Sequence, residues 1–201
     1  MYTSQKKCRA SGSLTSAAGV HFVTGELSRL GLIALPTVKN TKGVDIIAST
    51  PDFTRTIYLQ VKTNKNKYNF WIVGNPVRGN DVFYVFVNLL SNQQNKRPEY
   101  YVVPSKDVYA KFARFESAKT HLKPTIDEVN DIVKRIKNGE TAWSISDTLG
   151  ISIQVVRGMA KNNKLKIKYD RGGGEDFPFS FYIRREDEAI YTDRWDLLLT
   201  Y

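Results

Sequence analysis

Asp45, Gln60 and Lys62 are the residues of this chain whose types and spacing suit them to act together. Each stands where its neighbours read as buried strand: Ile46 and Ile47 follow Asp45, and Leu59 and Val61 alternate with Gln60 and Lys62. Side chains two apart on a strand share a face, so Gln60 and Lys62 point one way while Leu59 and Val61 point the other. If the two strands are adjacent and antiparallel, Asp45 falls at the Gln60–Lys62 end. Glu26 lies on the border of a helical stripe, one turn after Phe22 and one before Leu30, from where it can face the sheet edge. Four polar groups then converge on one point. A buried carboxylate is costly unless it is paired or holds a metal. A Lys62–Asp45 ion pair at the solvated end of a hairpin is the blander account, and it leaves the other groups unexplained.

The elements that must position these groups are legible in the hydrophobic pattern. Val20, Val23, Leu27 and Leu30 form one helical stripe from Ser13 onward, and Gly31 is placed as its stop. Strands are predicted over Leu32–Val38, Val44–Ala48, Thr56–Lys62, Tyr68–Val73, Val82–Leu89 and Tyr100–Val103, with Val82–Leu89 continuously apolar and hence central. Ser105 caps a helix running to about Phe115, with Asp107 in its first turn. Residues 116–124 read as a polar linker ending in Pro124. Three short helices follow from Thr125 to about Leu165, then two strand-like runs around a glycine turn, and one last helix from about Glu186 to Leu199.

In this order, the residues resemble the PD-(D/E)XK nuclease superfamily of restriction endonucleases and archaeal Holliday junction resolvases. The matching motifs stand as Gly25-Glu26, Val44-Asp45 and Gln60-Val61-Lys62. The resemblance covers the core to roughly Val103. It implies an α/β, restriction endonuclease-like fold, a mixed central sheet flanked by helices. It also implies that Asp45 is the main Mg²⁺ ligand, with Glu26 and the Val61 main-chain carbonyl as further ligands and Mn²⁺ as a substitute ion. Lys62 would orient or deprotonate the attacking water and offset charge on the phosphate. Mg²⁺ suits oxygen ligands and keeps several waters, one of which can serve as nucleophile. Two positions depart from the family pattern: Val44 replaces its proline, and Gln60 replaces its usual acid, supplying an oxygen without charge.

A second constellation lies in ETAWSISDTLGISIQVVRGMAKNNK, Glu140 to Lys164. Ala142, Ile145 and Leu149 make one apolar face, Gly150 breaks the helix, and Ser152 caps a second helix with Val155, Val156 and Met159 inward. Val129, Ile132, Val133 and Ile136 mark the supporting helix. The pattern resembles the helix-turn-helix of bacterial regulators and resolvases, whose tight turn suits a left-handed glycine. That resemblance makes Ser152 to Asn162 a recognition helix, with Gln154, Arg157, Lys161 and Asn162 toward bases or phosphates. Ser152 stands at its DNA-facing start. Lys164, Lys166, Lys168 and Arg171 extend the basic strip, as on a wing.

The organisation expected is therefore a nuclease core over 1–116 completed by 177–201, with an inserted helix-turn-helix DNA-binding domain over 117–176. Thirty Lys and Arg against twenty Asp and Glu give a net charge of +10, which favours a polyanionic partner through counterion release. One cysteine, Cys8, excludes an internal disulfide and a thiolate zinc site, and His21 and His121 are too few for an imidazole site. No run approaches the roughly 20 apolar residues of a membrane span, and residues 1–12 lack the apolar core of a signal peptide. A cytoplasmic setting, double-stranded DNA as partner, no membrane and no small-molecule cofactor are the expectations. A homodimer is the simplest way to cut both strands of a duplex. A resolvase-like nuclease, or a DNA-binding regulator with a degenerate nuclease fold, are the rival expectations.

Overall fold

The structure, a computed structural model, describes residues 12–38, 43–93, 95–120, 124–167 and 179–199, with 117–120 by their backbone alone. The chain divides into two units. One takes the described residues up to Ile72, those of Pro76–Lys106 and those from Tyr182 onward. The other takes Val73–Asn75 and the described residues of Asp107–Phe181.

In the first unit, α1 (Gly12–Arg29) ends in a Schellman turn. Gly31 takes φ +87°, its N–H donates to the Ser28 carbonyl, and the Leu32 N–H donates to that of Leu27 at 3.1 Å. The strands are β1 (Ile33–Pro36), β2 (Ile46–Ser49), β3 (Thr56–Asn64), β4 (Phe70–Ile72), β5 (Val82–Asn88) and β6 (Glu99–Pro104). Five of them form a mixed sheet in the order β1-β2-β3-β5-β6, with β3 and β5 parallel and the other neighbours antiparallel. One face of the sheet carries Ile46, Ala48, Ile57, Leu59, Val61, Phe83, Val85 and Val87, packed against Val23 and Leu27 of α1. Gly19 is where α1 comes closest: a Cβ there would stand 1.9 Å from the Thr63 hydroxyl. β5 is buried on both faces, as its unbroken apolar run requires.

The predicted last helix is two short ones, α6 (Glu188–Tyr191) and α7 (Asp196–Leu199). Between them Asp193 takes φ +51° and its N–H donates to the Tyr100 carbonyl, while Thr192 bridges to Tyr101. The chain gives up helix to bond β6, and Trp195 and Leu198 then enter the core.

In the second unit α3 (Ile126–Lys137), α4 (Ala142–Leu149) and α5 (Ile153–Asn162) enclose a core of Ile132, Ile136, Ala142, Ile145, Ile151, Val156 and Ala160. Thr125 and Glu128 close a capping box on α3, Thr141 caps α4, and Gly150 ends α4 with φ +63°. α2 (Ser105–Thr120) starts in the first unit and lies mostly in the second. It outruns the expected end at Phe115, because Glu116, Ala118 and Lys119 are good helix formers with no glycine or proline before Pro124. The unit boundaries fall at 106/107 and 181/182 rather than 116/117 and 176/177, since aromatic packing ties α2 to the helices. Phe115 stacks on Trp143 at 5.8 Å, and Phe112 meets Phe179 edge-on at 5.4 Å. Of the two strand-like runs expected past Lys166, the second forms β7 (Ser180–Tyr182), while Lys166 and Ile167 of the first are not strand; the glycine turn at 172–174 lies outside the described residues.

Candidate functional site

The antiparallel register of β2 and β3 pairs Ile46 with Leu59, so the next step brings Asp45 opposite Gln60. Asp45 sits just before β2. Its N–H donates to the Leu59 carbonyl at 2.8 Å, and its own carbonyl accepts from the Thr37 N–H at 2.9 Å. The ladder stops there because the Asp45 side chain replaces the next backbone partner: Oδ2 accepts the Val61 N–H at 2.7 Å. A strand residue turns its N–H and C=O toward the same neighbour. The Val61 carbonyl therefore points to this open end of the β2–β3 ladder as well.

Gln60 and Lys62 lie on the face opposite α1, beside Tyr84 and Phe86 of β5. The Gln60 Oε1 is buried and has no hydrogen-bond partner. Such an orphaned acceptor costs about 1–3 kcal/mol unless something supplies a donor or a cation. Lys62 forms no ion pair within the described residues. Burial pulls its ammonium below the ordinary lysine value, and the charge of Asp45 partly opposes that shift. Burial likewise pushes the Tyr84 phenol up to about 12, against the bond it shares with Val77, and Asp45 adds to the rise. The Tyr84 hydroxyl accepts the Val77 N–H at 2.7 Å. Val77 in turn abuts Gly43, where φ is +79° and a Cβ would come within 2.4 Å of the valine. These three residues brace the segment that presents Asp45. Tyr84 reads in the sequence as one more core residue of VFYVFV, and only its hydroxyl could have hinted at this duty.

Asp45, Gln60, Val61 and Lys62 are thus brought together. Glu26 is not: it belongs to the helix on the other face, where Arg29 holds its Oε2 at 2.8 Å. Its charge is felt by Tyr100 of β6, which burial first and Glu26 next push up to about 12. Among the described residues no three His, Cys, Asp or Glu side chains cluster to hold a metal. The donor set is therefore one carboxylate, one amide oxygen and one main-chain carbonyl. All three are hard oxygens, the ligand type that suits Mg²⁺ or Mn²⁺, and the orphaned Gln60 oxygen fits such an ion.

On α5, Gln154, Lys161 and Asn162 are exposed, as are Lys164 and Lys166 beyond it, and Arg157 is half-buried. Ser152 is buried, and its hydroxyl is spent on the Gln154 N–H at the start of the helix. It serves as a cap rather than an outward residue. Lys168 and Arg171 lie outside the described residues.

No protein-family model matches this sequence, and no curated protein matches it. Among solved structures, a bacterial homing endonuclease is similar over 50% of this chain and 70% of its own, at 23% identity and a TM-score of 0.35. Among the described residues no helix is long and apolar enough to cross a membrane.

Proposed function

We propose that this chain is a Mg²⁺-dependent endonuclease of double-stranded DNA, with a PD-(D/E)XK-type site at Asp45, Gln60 and Lys62. The observation that carries the proposal is the open end of the β2–β3 ladder. There the Asp45 carboxylate accepts the Val61 N–H, Gln60 stands opposite Asp45 in register with an unpartnered Oε1, and Lys62, two residues along the strand, is desolvated. Asp45, Gln60 and Val61 would hold the ion. When bound, the ion supplies a Lewis acid for the phosphate and lowers the pKa of water. Lys62 contributes a positive charge where the phosphoryl group gains negative charge, and near its lowered pKa it can also take up a proton.

The α4–α5 pair, joined through left-handed Gly150, suits a helix-turn-helix. Its α5 would read a major groove with Gln154, Lys161 and Asn162, with Lys164 and Lys166 on phosphates. Target-specific cutting of the restriction type follows, one half-site per copy. A DNA-binding regulator with a degenerate nuclease fold is the second reading, favoured by the single carboxylate at the site and by the Glu26–Arg29 pair.

Incubation of plasmid with the wild type, Asp45→Asn and Lys62→Met, each with Mg²⁺, Mn²⁺ or chelator, separates the two. Discrete fragments from the wild type alone, and only with a cation, are expected. A plasmid that is shifted but left intact under every condition supports the regulator. Selective cleavage of a four-way junction over linear duplex moves the proposal to a resolvase.

A further inference from the structure

We infer that Gly158 sets how deeply α5 seats in a DNA groove, which makes it a specificity-determining position. At about 100° per residue it lies opposite the edge of α5 that Val156 and Ala160 bury in the core. Ile153 and Met159 pack on the two flanks of that edge. The outward arc is left to Gln154, Gly158, Lys161 and Asn162. Glycine stands at its middle, with Gln154 one turn before it and Lys161 and Asn162 one turn after.

Nothing inside the protein asks for a glycine there. A Cβ at Gly158 would meet nothing within 4 Å, and Gly158 is not among the glycines with positive φ. Gly19 of α1 is the contrast, since its Cβ would strike Thr63. In a helix interior glycine is roughly fivefold less favourable for folding than alanine. α5 is only ten residues long and carries that cost near its middle, on the side away from its own core. A surface approaching from outside accounts for it, because a residue without a Cβ lets another molecule reach the backbone.

Charge and size select that surface. From Ile151 to Ile167 the chain has four cations, Arg157, Lys161, Lys164 and Lys166, and no acid, so a polyanion is favoured. A major groove about 12 Å wide barely admits a helix that is about 10–12 Å across with its side chains. A helix bare at the centre of its leading face can sit lower. Gln154 and Asn162, which carry a donor and an acceptor each, then reach base edges such as those of adenine. A methyl group at position 158 would hold the helix off the groove floor and lengthen those contacts first. Lys164 and Lys166, beyond the end of α5, would keep their phosphates. The inference rests on the helix-turn-helix reading of α4 and α5.

The test uses the full chain in chelator, so that no duplex is cut. The probe is a duplex enriched from a randomised pool by the wild type, and a shuffled duplex of equal length is the comparison. Gly158→Ala should raise the melting temperature by about 2–4 °C, the gain of replacing an unneeded helix glycine. It should also weaken binding to the enriched duplex by about tenfold or more, the scale of a lost base contact. Binding to the shuffled duplex should stay within about twofold, since phosphates carry it. An alanine variant of lower stability would place the need for glycine inside the protein. One that binds the enriched duplex like the wild type, or loses equally on both duplexes, would show no close approach to bases. Each of these overturns the inference and leaves the helix-turn-helix reading standing. A wild type that enriches no sequence, or whose preference survives Gln154→Ala unchanged, removes α5 as the reader and takes the inference with it.

Discussion

Asp45→Ala removes the acceptor that Val61 uses at the end of the β2–β3 ladder. The bond is short, 2.7 Å, partly buried and made to a carboxylate oxygen. An amide left without a partner costs about 1–3 kcal/mol, and Val61 is buried, so a loss of about 1–3 kcal/mol is expected. Asp45→Asn keeps an oxygen but loses the charge assistance, roughly half the strength of the bond, so about 0.5–1 kcal/mol is expected. Urea unfolding gives the totals, and hydrogen exchange at the Val61 amide gives the local value, with about tenfold faster exchange for each 1.4 kcal/mol lost. Saturating Mg²⁺ separates structure from ligation. At a hundred times its dissociation constant the ion should stabilise the wild type by about 2.7 kcal/mol, and neither variant. A Val61 amide equally protected in Asp45→Ala and wild type would refute the capping role. Equal stabilisation of Asp45→Asn by Mg²⁺ would refute ligation by the carboxylate.

Lys62 has a folded pKa below the unfolded value of 10.5, chiefly through burial, so the unfolded chain binds more protons between the two values and stability rises with pH across that window. Lys62→Met should abolish the rise, as read from urea midpoints along a pH series, and a variant that keeps the slope would rule the burial effect out. Lys62→Arg stays charged at every such pH; it should retain DNA binding while losing the alkaline limb of the cleavage rate if the lysine takes up a proton. Gly19→Ala should destabilise by roughly 1–3 kcal/mol by overpacking, more than the ~1 kcal/mol gained in helix propensity, because its Cβ meets Thr63. Adding Thr63→Ala should restore the loss in thermal melts. Replacing Lys161, Lys164 and Lys166 with alanine should each lower the slope of log affinity against log salt by about 0.9 in DNA binding, and unchanged slopes would take the phosphate contacts away from this strip.

The strands and the helix stripe were readable because each buries one face, and burial writes a period into the sequence. Val23 and Leu27 of α1, and Leu59 and Val61 of β3, show that period and meet in one core. The adjacency of Asp45 to Gln60 was readable for the same reason, since register follows pattern. Glu26 was harder. Position on a helical stripe fixes the angle around the axis but not where the helix lies along the sheet, and Arg29, three residues on, competes for the same carboxylate. Ser152 looked outward in a list of polar residues, yet a serine at that place in a turn is needed by the helix itself. The break at Asp193 depended on a hydrogen bond to β6 from far away in the chain, which no local propensity encodes. The brace of Tyr84, Val77 and Gly43 was invisible for a similar reason: its parts are dispersed and each looks ordinary alone.

β3 serves two masters residue by residue. Ile57, Leu59 and Val61 are wedged into the hydrophobic interior, while Gln60 and Lys62 face the other way from the same rigid ribbon. Shaving a methyl from Leu59 or Val61 need not melt the molecule to matter. On the proposed function, a small backbone drift there would be passed to the oxygens that hold the ion, and Mg²⁺ tolerates little departure from octahedral spacing. The tuning screws of the proposed activity would then be found among the chain's greasiest residues, where a search for activity-altering variants seldom begins.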